Sequence, residues 1–115
     1  MKSQTLSGLT FLVVEDEPLI AMDITVALED EGAKVTTTTT LKHAMLLVEH
    51  DGLAGAIVDH SLGNGDSAVF RSRLKERGIP FFVYSGFQVD GEPYLTKPAT
   101  PDQLVAAMQS LMQKR

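Results

Sequence analysis

The chain contains no cysteine. Disulfides, thiolate zinc sites and cysteine nucleophiles are therefore excluded. Positive charge is scarce: Lys and Arg number 10 against 15 Asp and Glu, for a net charge of −5. Non-specific binding to nucleic acid or to an anionic membrane needs a basic face, so neither is expected. No apolar run approaches the ~18 to 20 residues of a membrane-spanning helix. The start, MKSQTLSG, has a lysine but no long apolar stretch behind it, so it does not read as a secretory signal, and a cytoplasmic location is expected. What remains is ordinary for a globular chain, 43% apolar and 22% charged over 115 residues. That length suits one domain, 1–115, and no second domain is expected.

Two kinds of segment alternate. Short apolar runs at Leu9–Val14, Ala33–Thr38, Ala54–Val58 and Pro80–Tyr84 read as buried strands, with a shorter one at Pro93–Thr96. Between them come stretches with helical spacing: Ile20, Ile24, Ala27 and Leu28; then Leu41, Ala44, Met45 and Val48; then Phe70 and Leu74. Gly32, Gly52 and Gly78 follow these as stops. A last helix opens on Thr100-Pro101-Asp102-Gln103, with a threonine cap, proline at the first position and glutamine three residues after the cap. The threonine run 36–40 reads as strand end, loop and helix cap. Strand alternating with helix predicts an α/β fold, a doubly wound parallel sheet with helices on both faces.

Ligands of such sheets bind at the carboxyl ends of the strands. There the sequence collects Glu15-Asp16-Glu17, Asp59, Ser85-Gly86 and Lys97-Pro98. Carboxylates from separate strands repel one another at close range, and a hard cation such as Mg2+ removes the conflict. Mg2+ typically takes one or two carboxylates plus phosphate oxygens, which points to phosphoryl chemistry. A lysine and a serine hydroxyl suit the remaining phosphoryl oxygens. Without cysteine, the candidate nucleophile is a carboxylate, able to form an aspartyl phosphate.

Four pieces, Val13-Val14-Glu15-Asp16-Glu17-Pro18, Ile57-Val58-Asp59, Tyr84-Ser85-Gly86 and Tyr94-Leu95-Thr96-Lys97-Pro98, stand in the order and places of a response-regulator receiver domain. The chain resembles that family from end to end. The resemblance implies a flavodoxin-like five-stranded sheet in the order 2-1-3-4-5. It implies Asp59 as phosphoacceptor, with Mg2+ held by Asp16, by Glu15 directly or through water, by Asp59 and by the backbone carbonyl of Ser61. It further implies Ser85 and Lys97 on phosphoryl oxygens, a cis bond before Pro98, and Tyr94 as the rotating aromatic switch. The implied donor is a histidine kinase or a histidine phosphotransfer protein. Taken singly, each piece has an ordinary reading: an acidic turn at a helix start, a loop cap, a surface lysine, a turn, a core tyrosine. Their joint placement favours a site. Two rivals stand beside the phosphoreceiver. One is a degenerate receiver that acts as an interaction module without chemistry. The other is a small aspartate-nucleophile phosphatase, against which Ser61 counts, because an acid is usual two residues after such a nucleophile. His43 and His50 read as surface residues; His60 adjoins Asp59 and is placed to modulate access to it.

Two departures from the family pattern stand out. The loop after Asp59 carries Gly63 and Gly65 where a proline is common after Leu62, which implies a looser loop. Only residues 86–96 separate Ser85 from Lys97, and 86–93 hold two glycines and a proline. The fourth of the fold's five helices is thus expected to be missing or much shortened. The last helix spreads Leu104, Val105, Ala107, Met108, Leu111 and Met112 over an arc of roughly 160°, wider than the ~100° a core-facing helix needs. Either the core uses the whole arc, or the flank of Val105, Met108 and Met112 serves a homodimer or docks a partner.

Overall fold

In a computed structural model that describes residues 5–62 and 67–113, five strands form one parallel sheet. They are β1 (Thr10–Val14), β2 (Lys34–Thr38), β3 (Leu53–Asp59), β4 (Phe81–Ser85) and β5 (Tyr94–Thr96), in the order β2-β1-β3-β4-β5. This is the doubly wound flavodoxin-like arrangement that the sequence predicts. The pleat sends alternate residues to opposite faces. Phe11 and Val13 of β1 join one core with Ile57, Phe82 and Tyr84, while Leu12 and Val14 join the other with Ala56, Val58 and Val83. Both faces are covered, so the strands read as continuous apolar runs.

Helices α1 (Pro18–Glu29) and α4 (Pro101–Gln113) supply Ile24, Ala27, Leu28, Leu104 and Met108 to the first core. Helices α2 (Leu41–Leu47) and α3 (Ala68–Glu76) supply Ala44, Phe70 and Leu74 to the second. Their starts follow the sequence signals. Thr40 Oγ1 accepts the His43 N–H at 3.2 Å. At α4 the reciprocal cap closes: Thr100 Oγ1 accepts the Gln103 N–H at 3.1 Å, and the Gln103 side chain accepts the Thr100 N–H at 2.9 Å. Gly32 and Gly78, just past α1 and α3, take φ of 90° and 67°, where a side chain would be strained.

Between β4 and β5 the described chain forms no helix, only bends and turns. In this stretch Val89 turns inward and joins the second core, and Glu92 is half-buried. A single valine thus stands where a crossover helix would pack. Of the two readings of the α4 arc, burial in the core holds at Met108, which is wholly buried and so does not belong to an exposed flank. Val105 and Met112 are half-buried and packed against the same core. The physical reason lies in β3: Gly55 has no side chain, and a Cβ there would stand 3.0 Å from Met112 Cε. The helix sinks onto that gap and the core takes most of its apolar arc. The loop at Gly63, Asn64, Gly65 and Asp66, expected to be loose, lies outside the described residues.

Candidate functional site

β1 and β3 run side by side, so Val14 pairs with Val58 and the acids that follow them emerge together. Glu15, Asp16 and Asp59 each offer a carboxylate oxygen, and these lie within 4.8 Å of one another. Glu15 and Asp59 are 2% and 3% exposed; Asp16 is nearer solvent. The Glu15 N–H donates to the Thr38 carbonyl at 3.0 Å, which fixes the turn after β1 against the end of β2.

β5 delivers the lysine. The Lys97 N–H donates to the Ser85 carbonyl at 2.7 Å, and the Lys97–Pro98 bond is cis. Its Nζ reaches Asp59 Oδ1 at 2.7 Å and lies 3.6 Å from Glu15 Oε1. The Ser61 N–H donates to the same Asp59 oxygen at 3.3 Å, so two donors hold that carboxylate in one orientation. Ser85 is buried at the end of β4, and its Oγ accepts the Phe87 N–H at 3.1 Å. That contact leaves the hydroxyl proton free to donate. Tyr94 opens the edge strand β5, opposite Val83, and is 40% exposed. His60 meets Phe87 edge to face, with ring centroids 4.7 Å apart, and its Nδ1 is buried without a partner. His43 and His50 are exposed.

Burial, with the Asp59 carboxylate alongside, pushes Glu15 up to about 8. Burial also works against ionised Asp59. The Lys97 hydrogen bond, Glu15 and the Ser61 N–H outweigh it and hold the Asp59 carboxyl below its ordinary value. For Lys97 burial favours the neutral amine, but Asp59 and Glu15 overcome it and the ammonium is strengthened. At neutral pH the cluster therefore holds a charged Lys97, an ionised Asp59 and a proton on Glu15.

No family model matches the chain. Curated relatives do. The transcriptional regulatory protein TcrA of Mycobacterium tuberculosis is 29% identical over 120 residues, which take in 94% of this chain and 47% of TcrA. The virulence transcriptional regulatory protein PhoP of Salmonella choleraesuis is 30% identical over 115 residues, 90% of this chain and 51% of PhoP. Among solved structures, a response regulator from Burkholderia pseudomallei superposes with a TM-score of 0.77 at 24% identity, covering 92% of this chain and 69% of that one. The chain is similar to response regulators in sequence, and its fold is that of their receiver domains. It spans about half the length of the curated relatives it matches.

Residues expected at a receiver site are brought together where the sequence put them: Glu15, Asp16 and Asp59 converge, Lys97 bonds Asp59 and lies near Glu15, Ser61 bonds back to Asp59, and Ser85 is hydrogen-bonded to Lys97 through the backbone. Tyr94 lies one strand further out. This donor set fits a hard divalent cation. It is all oxygen, it concentrates acid at one point, and both Glu15 oxygens are buried without a hydrogen-bond partner. Tyr84 is the residue that sequence reasoning missed. Its hydroxyl accepts the Ala99 N–H at 2.9 Å and the Lys97 Nζ stands 5.3 Å from its ring centre, so it braces the lysine from below. A tyrosine in an otherwise apolar strand end, next to a polar edge, was the available signal.

Proposed function

We propose that this protein is a phosphoreceiver: Asp59 accepts a phosphoryl group from a phosphohistidine on a histidine kinase or histidine phosphotransfer protein. The observation that carries the reading is the Lys97 Nζ on Asp59 Oδ1, beside three carboxylates that converge within 4.8 Å. An Asp59 oxygen attacks phosphorus, the P–N bond to the partner's imidazole breaks, and that ring, already protonated on its other nitrogen, leaves as neutral imidazole. Mg2+, held by Glu15, Asp16, Asp59 and the Ser61 carbonyl, would neutralise charge on the transferring oxygens. Lys97 follows that charge from the carboxylate to a phosphoryl oxygen, acting as a point charge. The Ser85 hydroxyl donates to another phosphoryl oxygen, and Tyr94 answers that movement from β5.

Support comes from the relatives, which are regulators, and from the Burkholderia pseudomallei fold neighbour, which carries a phosphorylated aspartic acid and a calcium ion. On α1, directly after the acids, Leu19, Met22 and Val26 form an exposed apolar stripe, and we assign the histidine-bearing partner to it. Output then runs through protein–protein contact or through drainage of phosphate from the kinase. The test is incubation with Mg2+ and acetyl phosphate, read by intact mass. One phosphoryl group is expected, dependent on Mg2+ and lost in Asp59→Asn. Uptake by Asp59→Asn at the wild-type rate would overturn the assignment.

A further inference from the structure

At the amino edge of the sheet, opposite the acids, a pocket of about 790 Å³ opens between the α3–β4 connection, the start of β4, the residues before β5 and the last turn of α4. Its walls are Ile79, Pro80, Phe81, Pro93 and Leu111. The volume falls in the range of small-molecule sites. One acid stands in the apolar lining. The Glu92 side chain is 10% exposed; its Oε1 pairs with the Lys75 ammonium and its Oε2 is buried without a partner. A buried carboxylate oxygen without a donor is costly, and a ligand that supplies one recovers that cost. Lys75 is 58% exposed and contributes a single contact, so it can swing into water.

We propose that this pocket binds a small molecule with an apolar body and a planar forked cation, an amidinium or guanidinium. Such a head takes both oxygens of a carboxylate at once, which an ammonium does not. The apolar body lies on Phe81, Pro93 and Leu111, and Lys75 is released to solvent. Because Gly91, Glu92 and Pro93 belong to the short β4–β5 connection, an occupant also braces the segment that leads into β5. The inference is independent of the phosphoreceiver reading, since none of its residues belongs to the acidic site.

The probe is benzamidine, titrated into the unphosphorylated protein without divalent cation and followed by amide chemical shifts. Saturable shifts are expected at Ile79, Phe81 and Glu92. Benzoate and benzyl alcohol, which share the ring and lack the cation, should produce none at equal concentration. Glu92→Gln keeps the shape and should weaken binding roughly tenfold or more. Lys75→Met removes the competing ammonium and should tighten it severalfold. Asp59→Asn should titrate as wild type, which separates this result from any failure of phosphorylation. Equal binding of benzoate or benzyl alcohol, undiminished binding in Glu92→Gln, or no saturation in either wild type or Lys75→Met overturns the proposal. Should Glu92→Gln fail to fold, unchanged or weaker binding in Lys75→Met overturns it alone.

Discussion

Replacing Glu15 by glutamine should stabilise the metal-free protein at pH 8 and do nothing for it at pH 5. The folded protein holds the Glu15 proton up to about pH 8, whereas an unfolded chain releases it near 4.5. Between those values the folded state binds one proton more than the unfolded state, so stability falls as pH rises. Below 4.5 both states are protonated and the penalty is absent. Above 8 it is complete. At face value the displacement corresponds to roughly 5 kcal/mol. Asp16 is nearer solvent than Glu15, and screening through that side reduces the figure to about 2 kcal/mol. For a domain of this size that is a rise in Tm of about 5–10 °C in Glu15→Gln at pH 8. Saturating Mg2+ should raise the wild type at pH 8 and raise the variant less. The assay is thermal unfolding followed by circular dichroism at pH 5, 6.5 and 8, with EDTA or Mg2+. A wild-type Tm that stays level from pH 5 to 8 in EDTA, together with a variant no more stable at pH 8, would refute the reasoning.

Gly55→Ala should cost about 1–2 kcal/mol in urea unfolding, because the new methyl meets Met112 Cε at 3.0 Å and the fixed Pro80 carbonyl at 3.2 Å; Met112→Ala in the same chain should remove part of that strain. Lys97→Met strips the cation from Asp59 and should destabilise the metal-free protein by about 2 kcal/mol at pH 7, while Mg2+ binding, measured by calorimetry, persists. Glu49, held down to about 2 by Arg73 and Arg77, contributes stability above pH 4.5 that is lost as pH falls towards 2; Glu49→Gln should flatten that part of the acid-unfolding curve.

Much of the site was legible because buried parallel strands are apolar to their last residue and then turn abruptly polar. Val13-Val14-Glu15-Asp16 and Ile57-Val58-Asp59 show that change directly, and the sheet order puts the two side by side. The missing crossover helix was equally plain, since 86–93 holds two glycines and a proline. Less was readable where contacts join distant parts of the chain. Amphipathic spacing gave the arc of α4 but not its depth, because the depth depends on a glycine in β3. Val89 lies in a polar, turn-forming stretch with no periodicity to mark it as core. Lys75 and Glu92 come from two separate connections, and neither has a local partner that announces the pair.

The short link between β4 and β5 also bears on how the chain folds. Closing a loop costs entropy that grows with its length, about 0.6 kcal/mol for each doubling. A crossover of usual length spends a dozen or more residues before its second strand can pair. Here Ser85 and Thr96 are partners with only the 86–95 segment between them. By contrast, Val14 meets Val58 only after all of β2 and two helices have been traversed. Closure entropy therefore favours early pairing of β5 with β4, ahead of the β1–β3 pairing. Pulse-labelled hydrogen exchange should find the amides of β5 protected no later than those of β1; the opposite order would mean that core collapse, and not loop closure, sets the sequence of events. On this ordering Lys97 reaches its place before Glu15 and Asp16 do, and the basic member of the cluster waits for the acids that surround it.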